Sequence, residues 1–131
     1  MKYLVDTSVL IYSIISHPKL NDRALGLLAD DRSELYLSPV TSWEIAIKAG
    51  TGKLRLPGRP SEVVTRSMRL MSLQPLDITH IHALAVEGLP NHHRDPFDRM
   101  LIAQAVAEGM VLLTADRIFE KYKVEQIFCG K

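Results

Sequence analysis

Short apolar runs alternate with segments of helical spacing along the chain, and this alternation constrains the fold more than any other feature. Runs at 2–5, 34–38, 110–114 and 124–128 have the length and the branched or aromatic content of buried strands. The segments between them place apolar residues three and four positions apart, as amphipathic helices do. Strands interleaved with helices predict a three-layer α/β/α fold, in which helices cover both faces of a central, mostly parallel sheet.

Seven helices are predicted, with residues 53–60 as a connector and 74–78 as a short extended piece. The helical segments are 8–14, 20–30, 42–50, 61–73, 79–89, 96–109 and 115–122. The helix at 96–109 has the clearest boundaries, with Asp95 as N-cap, Pro96 at the first helical position and Gly109 just past the end. Thr79 is also a good N-cap for the helix that follows it.

Length and charge restrict the class of protein. The 131 residues are enough for one domain with one core, and 47% apolar with 24% charged residues is ordinary for a globular protein. The net charge is only +1, yet the segment 45–70 carries six basic residues against one acid. This segment is interpreted either as a solvated face or as a surface that contacts a phosphate backbone.

The single cysteine indicates a reducing compartment, and the hydropathy pattern predicts neither a signal peptide nor a membrane span. Cys129 has no partner within the chain, which excludes an internal disulfide and a cysteine-rich zinc site. Asp6 falls where the apolar core of a signal peptide would lie. No apolar stretch approaches the ~20 residues that span a bilayer. We therefore expect a soluble cytoplasmic protein without a membrane partner.

Acidic residues follow the predicted strands or begin the helices beside them. Asp6 directly follows the first strand, and Asp116 lies two residues after the strand at 110–114. Because ligands of a parallel α/β sheet bind at the carboxyl ends of its strands, these acids are expected at one edge of the sheet. Three further acids occupy helix starts or the loop that leads into one: Glu44, Asp95 and Asp98.

Carboxylates gathered in a low-dielectric pocket repel one another, and a divalent cation is the simplest remedy. All-oxygen ligation suits a hard ion, so the pattern predicts Mg²⁺, with Mn²⁺ as the alternative. Such an ion equips a site to hydrolyse phosphate esters. Taken singly, each acid has another interpretation: Asp6, Asp95 and Asp116 are good helix N-caps, and Glu44 suits the positive end of its helix dipole.

Four histidines and the single tryptophan are weaker candidates. His80, His82, His92 and His93 lack further zinc ligands at suitable spacing, and we interpret them as loop or surface residues. Trp43 is interpreted as a buried packing residue rather than a platform for a nucleic-acid base.

Three sequence blocks carry a family resemblance: YLVDTSVLI at 3–11, SPVTSWEIAIKAGTGKLRLP at 38–57 and HHRDPFDRMLIAQAVAEGMVLLTAD at 92–116. They resemble the PIN-domain family, and in particular the VapC toxins of prokaryotic type II toxin–antitoxin pairs. In the first block an Asp ends a strand and hydroxyl residues follow it; in the second a Trp-Glu pair heads a helix. The resemblance extends from about Lys2 to Val124.

The resemblance implies that residues 1–131 form a single PIN domain, a Mg²⁺- or Mn²⁺-dependent endoribonuclease that cleaves structured RNA such as tRNA or rRNA by an activated water. By position, it assigns four acids to metal binding and catalysis: Asp6, Glu44, Asp98 and Asp116. Asp95 is the alternative to Asp98. We favour Asp98, because Asp95 precedes Pro96 and is better placed to cap the helix.

Further residues are predicted around these acids. Two hydroxyl residues are expected to hold Asp6 or a water at the metal: Thr7 and Ser8. Three basic residues are expected to contact the RNA: Lys48, Lys53 and Arg99. For Arg99, a salt bridge to Asp95 or Glu44 is an equal alternative.

The resemblance also implies partners. A VapB-type antitoxin would lie across the toxin and put a basic side chain into the acidic pocket, and operator DNA would be contacted only through this antitoxin. A homodimer is expected through an apolar helical surface, at 20–28 or at 63–71. The alternative function is a non-catalytic PIN module that binds RNA or a protein partner. Loss of a core acid would favour that alternative, and all four acids are present.

Overall fold

Five short strands form one sheet in the computed structural model, which describes all residues, Met1–Lys131. The strands are β1 Lys2–Val5, β2 Glu34–Leu37, β3 Gln74–Pro75, β4 Val111–Thr114 and β5 Gln126–Phe128. Their order across the sheet is β3-β2-β1-β4-β5. Every neighbouring pair runs parallel, which confirms the prediction of a mostly parallel sheet.

Six α-helices connect the strands. They are α1 Thr7–Ile15, α2 Asp22–Ala29, α3 Pro39–Gly50, α4 Pro60–Leu70, α5 His80–Ala85 and α6 Pro96–Glu108. Single 3₁₀ turns occur at His17–Lys19, Val86–Gly88 and Arg117–Lys121. No helix combines the length and the apolar character needed to cross a bilayer.

Two predicted helices are shorter than expected. The segment 79–89 divides into α5 and a 3₁₀ turn, and the segment 115–122 contains only the turn at Arg117–Lys121. In the latter, Phe119 and Tyr122 are both buried in the same apolar cluster. Phe119 lies within the 3₁₀ turn and Tyr122 directly follows it in an extended conformation, so the short turn supplies the first ring to the core and the residue that ends it supplies the second.

Residues of β1 and β4 divide the core between the two faces of the sheet. Alternate residues of a strand point to opposite faces. Val111 and Leu113 belong to one apolar cluster, which also contains Leu10 of α1, and Leu112 belongs to the other, which contains Leu101 of α6. Helices thus cover both faces, and the predicted three-layer α/β/α architecture is confirmed.

The central position of β1 determines where a ligand can bind. Tyr3 of β1 pairs with Leu35 of β2 on one side and with Val111 of β4 on the other. The chain proceeds outward from β1 through β2 to β3, then crosses to β4 and β5 on the opposite side. In such sheets ligands bind in the crevice outside the strand ends where the order reverses, which here is between β1 and β4.

The helix α6 has the predicted boundaries. Asp95 Oδ1 accepts hydrogen bonds from the backbone N–H groups of Phe97 and Asp98, at 2.9 and 3.1 Å, and Pro96 is the first helical residue. Gly109 ends the helix in the left-handed conformation, with φ of 64°, which glycine adopts at no steric cost. These caps fix Asp98 in the first turn, beside the ends of β1 and β4.

The interpretation of all four histidines as loop or surface residues is wrong for His82. Thr79 caps α5 as predicted, and its hydroxyl accepts from the His82 backbone N–H. His82 Nδ1 accepts in turn from the Thr79 N–H at 3.1 Å, and Nε2 lies 2.8 Å from Glu108 Oε2. The ring is only 2% exposed. It is buried because both nitrogens have partners, which removes the cost of desolvating them.

The two segments predicted as dimer faces pack within the chain. Leu20 and Ala24 of the segment 20–28, and Val64 of the segment 63–71, are buried in the cluster on one face of the sheet. A parallel sheet needs such cover on both faces. These residues therefore serve the core, while Leu70 at the end of α4 is 73% exposed, and a second copy on either segment stays a prediction.

Candidate functional site

Asp6 lies directly after β1, with 2% of its surface exposed. Its backbone N–H donates to the Leu113 carbonyl of β4 at 2.9 Å, and its carbonyl accepts from Val9 and Leu10 of α1. Oδ1 of its side chain accepts from the Thr7 backbone N–H at 2.7 Å. Asp6 therefore caps α1, as its interpretation as an N-cap predicted, and the cap uses one of its two carboxylate oxygens.

The other oxygen of Asp6, Oδ2, accepts from two hydroxyls, Ser8 Oγ at 2.6 Å and Thr114 Oγ1 at 2.7 Å. Burial raises the pKa of Asp6 to about 6, and repulsion from Glu44 adds to this, although the three hydrogen bonds oppose it. A carboxylate has about four acceptor positions, so three donors leave capacity for a cation.

The two hydroxyl residues after Asp6 have different partners. Ser8 Oγ donates to Asp6 and accepts from the Ala115 backbone N–H at 3.1 Å, which connects α1 to the segment after β4. The Thr7 hydroxyl donates instead to Thr41 Oγ1 at 3.1 Å, in α3. Only the backbone of Thr7 contacts Asp6, and a contact of either hydroxyl with a water at the metal stays a prediction.

Thr114, at the end of β4, connects two of the candidate acids. Its hydroxyl donates to Asp6 Oδ2 and accepts from the Asp116 backbone N–H at 3.0 Å. Asp116 is exposed, and its Oδ1 accepts from the Ile118 N–H, so it caps the turn at Arg117–Lys121. Sequence analysis did not identify Thr114, because a threonine at the end of a buried strand is common and carries no motif.

Glu44 is buried on α3, with 3% of its surface exposed. Its Oε2 pairs with Lys48 Nζ at 2.5 Å, and this hydrogen bond raises the pKa of Lys48. Its Oε1 is buried and has no hydrogen-bond partner. Leaving a buried acceptor unpaired is costly, of order 1–3 kcal/mol or more for a charged group. Such an oxygen is expected where a ligand supplies the missing interaction.

Five carboxylates line one pocket of about 230 Å³ at the ends of β1 and β4. Lys48 is the only basic residue in its lining. The acids are Asp6, Glu44, Asp95, Asp98 and Asp116. Burial raises the pKa of Asp98 to about 8, and repulsion from the other four carboxylates adds to the shift. The pocket therefore favours any added positive charge, whether a proton or a cation.

The donor set fits a hard divalent cation. All five acids offer oxygen, and the unpaired Glu44 Oε1 is one available ligand atom. As the side chains stand, no three acidic, histidine or cysteine groups lie close enough together to hold one ion. Mg²⁺ usually takes only one or two carboxylates directly and keeps several waters, so its binding does not require such a cluster.

Asp95 and Asp98 both line the pocket but have different hydrogen-bond partners. Asp95 Oδ1 is used to cap α6. Asp98 Oδ2 lies 3.0 Å from His93 Nε2, and its side chain is 13% exposed. This geometry agrees with the choice of Asp98 as the core acid, which stays a prediction. The contact of His93 with Asp98 was not predicted from the sequence, where His93 is interpreted as a loop or surface residue.

Arg99 is held by backbone carbonyls. Its Nη1 donates to the Pro90 carbonyl at 2.8 Å and to the Tyr122 hydroxyl at 3.2 Å. No ion pair joins it to Asp95 or Glu44, so the salt bridge considered for Arg99 is wrong. Its guanidinium braces the loop that precedes α6, and this reduces the donors left for an RNA contact.

The other two basic candidates differ in position. Lys48 lines the pocket, paired with Glu44. Lys53 is exposed three residues after the end of α3. Contacts of these residues with RNA stay predictions. Trp43, interpreted as buried, is 60% exposed, and its ring meets the Phe97 ring edge-on with centroids 5.1 Å apart.

The fold and the acidic pocket define an α/β/α protein whose site lies at the reversal of strand order in a parallel sheet. The family model of the PIN domain matches residues 3–125, and the chain belongs to this family.

Two solved structures share the fold. VapBC2 from Rickettsia felis, bound to a DNA fragment from its promoter, matches with a TM-score of 0.73 and 19% identity, over 99% of this chain and 100% of that chain. DNA-bound VapBC from Salmonella typhimurium matches with a TM-score of 0.66 and 23% identity, over 98% of each chain.

One curated relative is similar in sequence. Ribonuclease VapC16 from Mycobacterium tuberculosis (strain ATCC 25618 / H37Rv) is 34% identical over 70 residues, which is 50% of this chain and 50% of that protein. The chain thus spans about half the length of the curated relative it matches. The similarity supports a nuclease class and leaves the substrate to be proposed.

We predict that Thr114→Val destabilises the protein by roughly 1–3 kcal/mol, because a buried carboxylate oxygen and a backbone N–H each lose a partner while the side chain keeps its shape. Urea unfolding measures the difference. Thr65→Val, at an exposed position of α4, is the matched control and should change stability by about 0.5 kcal/mol or less. Equal stabilities of the two variants would contradict the role of Thr114.

Proposed function

We propose that residues 1–131 form one PIN domain that acts as a Mg²⁺-dependent endoribonuclease, the toxin of a VapBC-type toxin–antitoxin pair. The observation that carries this proposal is the pocket at the ends of β1 and β4, where five carboxylates gather and one buried oxygen of Glu44 has no partner. Membership of the PIN-domain family and the similarity to a ribonuclease support the same class of reaction.

Four acids would hold Mg²⁺, or Mn²⁺ in its place: Asp6, Glu44, Asp98 and Asp116. The chemistry that a bound ion supplies is activation of water and neutralisation of charge on the phosphodiester. Asp6 is the rigid member of this set, because three hydrogen bonds fix its carboxylate. Asp116 is exposed at the rim of the pocket, where its side chain can adjust as a substrate enters.

Water is the nucleophile in this proposal. The nearest hydroxyl, Ser8 Oγ, already donates to Asp6 and accepts from the Ala115 N–H. No histidine lines the pocket to take its proton, and activated serines need a base within hydrogen-bond reach. The acids would hold the ion that supplies contact with the scissile phosphate, and Lys48 balances part of their charge.

The RNA strand is proposed to leave the pocket along a second cleft of about 340 Å³, which shares Tyr12 with the acidic pocket. Lys19 lines this cleft, and its Nζ lies 5.2 Å from the centre of the Tyr12 ring. An aromatic ring beside a cation suits stacking of a base with a nearby phosphate contact. Structured RNA, such as a tRNA or rRNA loop with splayed bases, presents both groups.

A VapB-type antitoxin is the proposed partner. The solved VapBC structures are toxin–antitoxin complexes bound to DNA, which supports contact with operator DNA through the antitoxin. A basic side chain of the antitoxin would satisfy the charge that the pocket favours. We further propose a homodimer. Exposed large apolar side chains available for it include Trp43 of α3, Leu70 of α4, and Ile81 and Leu84 of α5.

We predict that Asp98→Asn and Asp6→Asn each lower RNA cleavage by at least about 100-fold, which corresponds to roughly 3 kcal/mol of lost transition-state stabilisation. Both variants should stay folded, because asparagine keeps the shape and removes a charge that burial disfavours. Cleavage of total RNA with Mg²⁺ measures activity, and calorimetric titration of Mn²⁺ measures metal binding. Undiminished cleavage by both variants would refute the proposed site, whereas no cleavage by the wild-type chain would favour a non-catalytic module.

We predict that Lys19→Ala weakens RNA binding and lowers the slope of log K against log salt by about 1, because one phosphate contact is lost. RNA binding is measured with chains that also carry Asp98→Asn, which is expected to be inactive, so that affinity is measured without cleavage. Lys2→Ala is the control, since Lys2 is exposed at the opposite end of β1 from Asp6. An identical salt slope for the Lys19 variant would place the RNA elsewhere.

We predict that the product of a neighbouring short gene with antitoxin features co-purifies with the chain and stops RNA cleavage. Light scattering should give a complex that contains two copies of this chain. Replacing the basic residue of the antitoxin that enters the pocket should restore cleavage. A complex that leaves cleavage intact would contradict occupation of the acidic pocket.

A further inference from the structure

A line of hydrogen bonds joins the guanidinium of Arg99 to the carboxylate of Asp98. Arg99 Nη1 lies 3.2 Å from the Tyr122 hydroxyl, which lies 2.6 Å from His93 Nδ1. His93 Nε2 lies 3.0 Å from Asp98 Oδ2. The side chains of His93 and Asp98 are 17% and 13% exposed, and Tyr122 is buried with 4% exposed. The line therefore runs through the protein rather than through solvent.

Arg99 fixes the direction of the first hydrogen bond in this line and favours one direction for the others. A guanidinium can only donate, so the Tyr122 oxygen accepts from Arg99 and has its single proton available for His93 Nδ1. Nδ1 is then the acceptor, and Nε2 carries the ring proton and donates it to Asp98. Arg99 cannot turn away, because the same guanidinium donates to the carbonyls of Leu89 and Pro90.

We propose that His93 is a positioning residue that donates from Nε2 to Asp98 Oδ2 and so leaves Oδ1 to serve the pocket. The inference rests on the proposed function, since it concerns how Asp98 meets the metal. Oriented carboxylates and their hydrogen-bonding partners are a general requirement of metal sites, and loss of such a partner costs about 10–100-fold in metal affinity or activity.

Tyr122 and Arg99 act one step further from the pocket. The Tyr122 ring packs in the apolar cluster beneath α6, and its hydroxyl is the group that selects the His93 tautomer. Arg99 follows Asp98 directly in α6 yet points its guanidinium to the loop that carries His93. The loop and the helix start are thus locked together, and the position of His93 relative to Asp98 is fixed on both sides.

Two replacements of His93 distinguish loss of the hydrogen bond to Asp98 from loss of ring packing. In glutamine the amide nitrogen lies near the position of Nε2, so His93→Gln keeps a donor for Asp98. In asparagine the shorter amide reaches only the position of Nδ1, so His93→Asn loses it. Tyr122→Phe keeps the ring and removes only the hydroxyl. His92→Asn is the matched control, because His92 is exposed in the same loop and has only a ring contact with Tyr122.

Calorimetric titration of Mn²⁺ into the metal-free protein tests the inference. His93→Asn should weaken Mn²⁺ binding by about 10–100-fold, Tyr122→Phe by about 10-fold, His93→Gln by less than His93→Asn, and His92→Asn not at all. Nitrogen NMR of labelled histidine gives an independent readout: His93 should carry its proton on Nε2, and this tautomer preference should be lost in Tyr122→Phe. Thermal unfolding checks that each variant is folded.

Three results would overturn the inference, and they are distinguishable. If His93→Asn and Tyr122→Phe bind Mn²⁺ as the wild type does while Asp98→Asn does not, Asp98 needs no positioning by His93 and the metal site stands. If Asp98→Asn also binds Mn²⁺ normally, the metal site itself is wrong. A His93 proton on Nδ1 would overturn the direction of the hydrogen bonds. Should His93→Asn unfold, Tyr122→Phe still decides the question.

Discussion

The pairing of β1 with β4 is the contact on which the sheet and the pocket both depend. It joins segments more than a hundred residues apart, and it continues past the strands, where the Asp6 N–H donates to Leu113 and Thr114 donates to Asp6. Moving either strand by one residue would exchange the faces of its side chains. The same slip would separate Asp6 from Asp116. Register, core and acidic site are therefore set by one interaction.

Helix capping and cation binding are compatible uses of the same acids. Asp6 caps α1, Asp95 caps α6 and Asp116 caps the turn at Arg117–Lys121, so three N-termini surround the pocket. The positive ends of helix dipoles stabilise neighbouring carboxylates. This support is incomplete, because burial and mutual repulsion still raise the pKa of Asp98 to about 8. The fold thus lowers the electrostatic cost of placing several carboxylates together. A bound cation would offset the remainder.

Much of this arrangement is visible in the sequence, and the part that is not has a physical reason. Strand and helix order follow from local periodicity, and the acids at strand ends follow from the rule for parallel sheets. The burial of His82 and the exposure of Trp43 depend on contacts with distant elements, which periodicity does not report. Arg99 is the clearest case: a salt bridge to Asp95 or Glu44 is suggested by the sequence, but the carbonyls of the preceding loop accept its hydrogen bonds instead.

The excess of carboxylates also supports the proposal that one pocket takes a metal and a substrate, or an inhibitor in their place. Lys48 satisfies only Glu44 Oε2, and Oε1 remains without a partner. Any positively charged group near this oxygen and Asp98 is attracted by the same carboxylates, whether it is a divalent ion or a basic side chain of a partner. The two cannot occupy a pocket of about 230 Å³ together without repulsion. The proposed inhibition by a cationic side chain and the proposed hydrolysis therefore depend on the same charge balance.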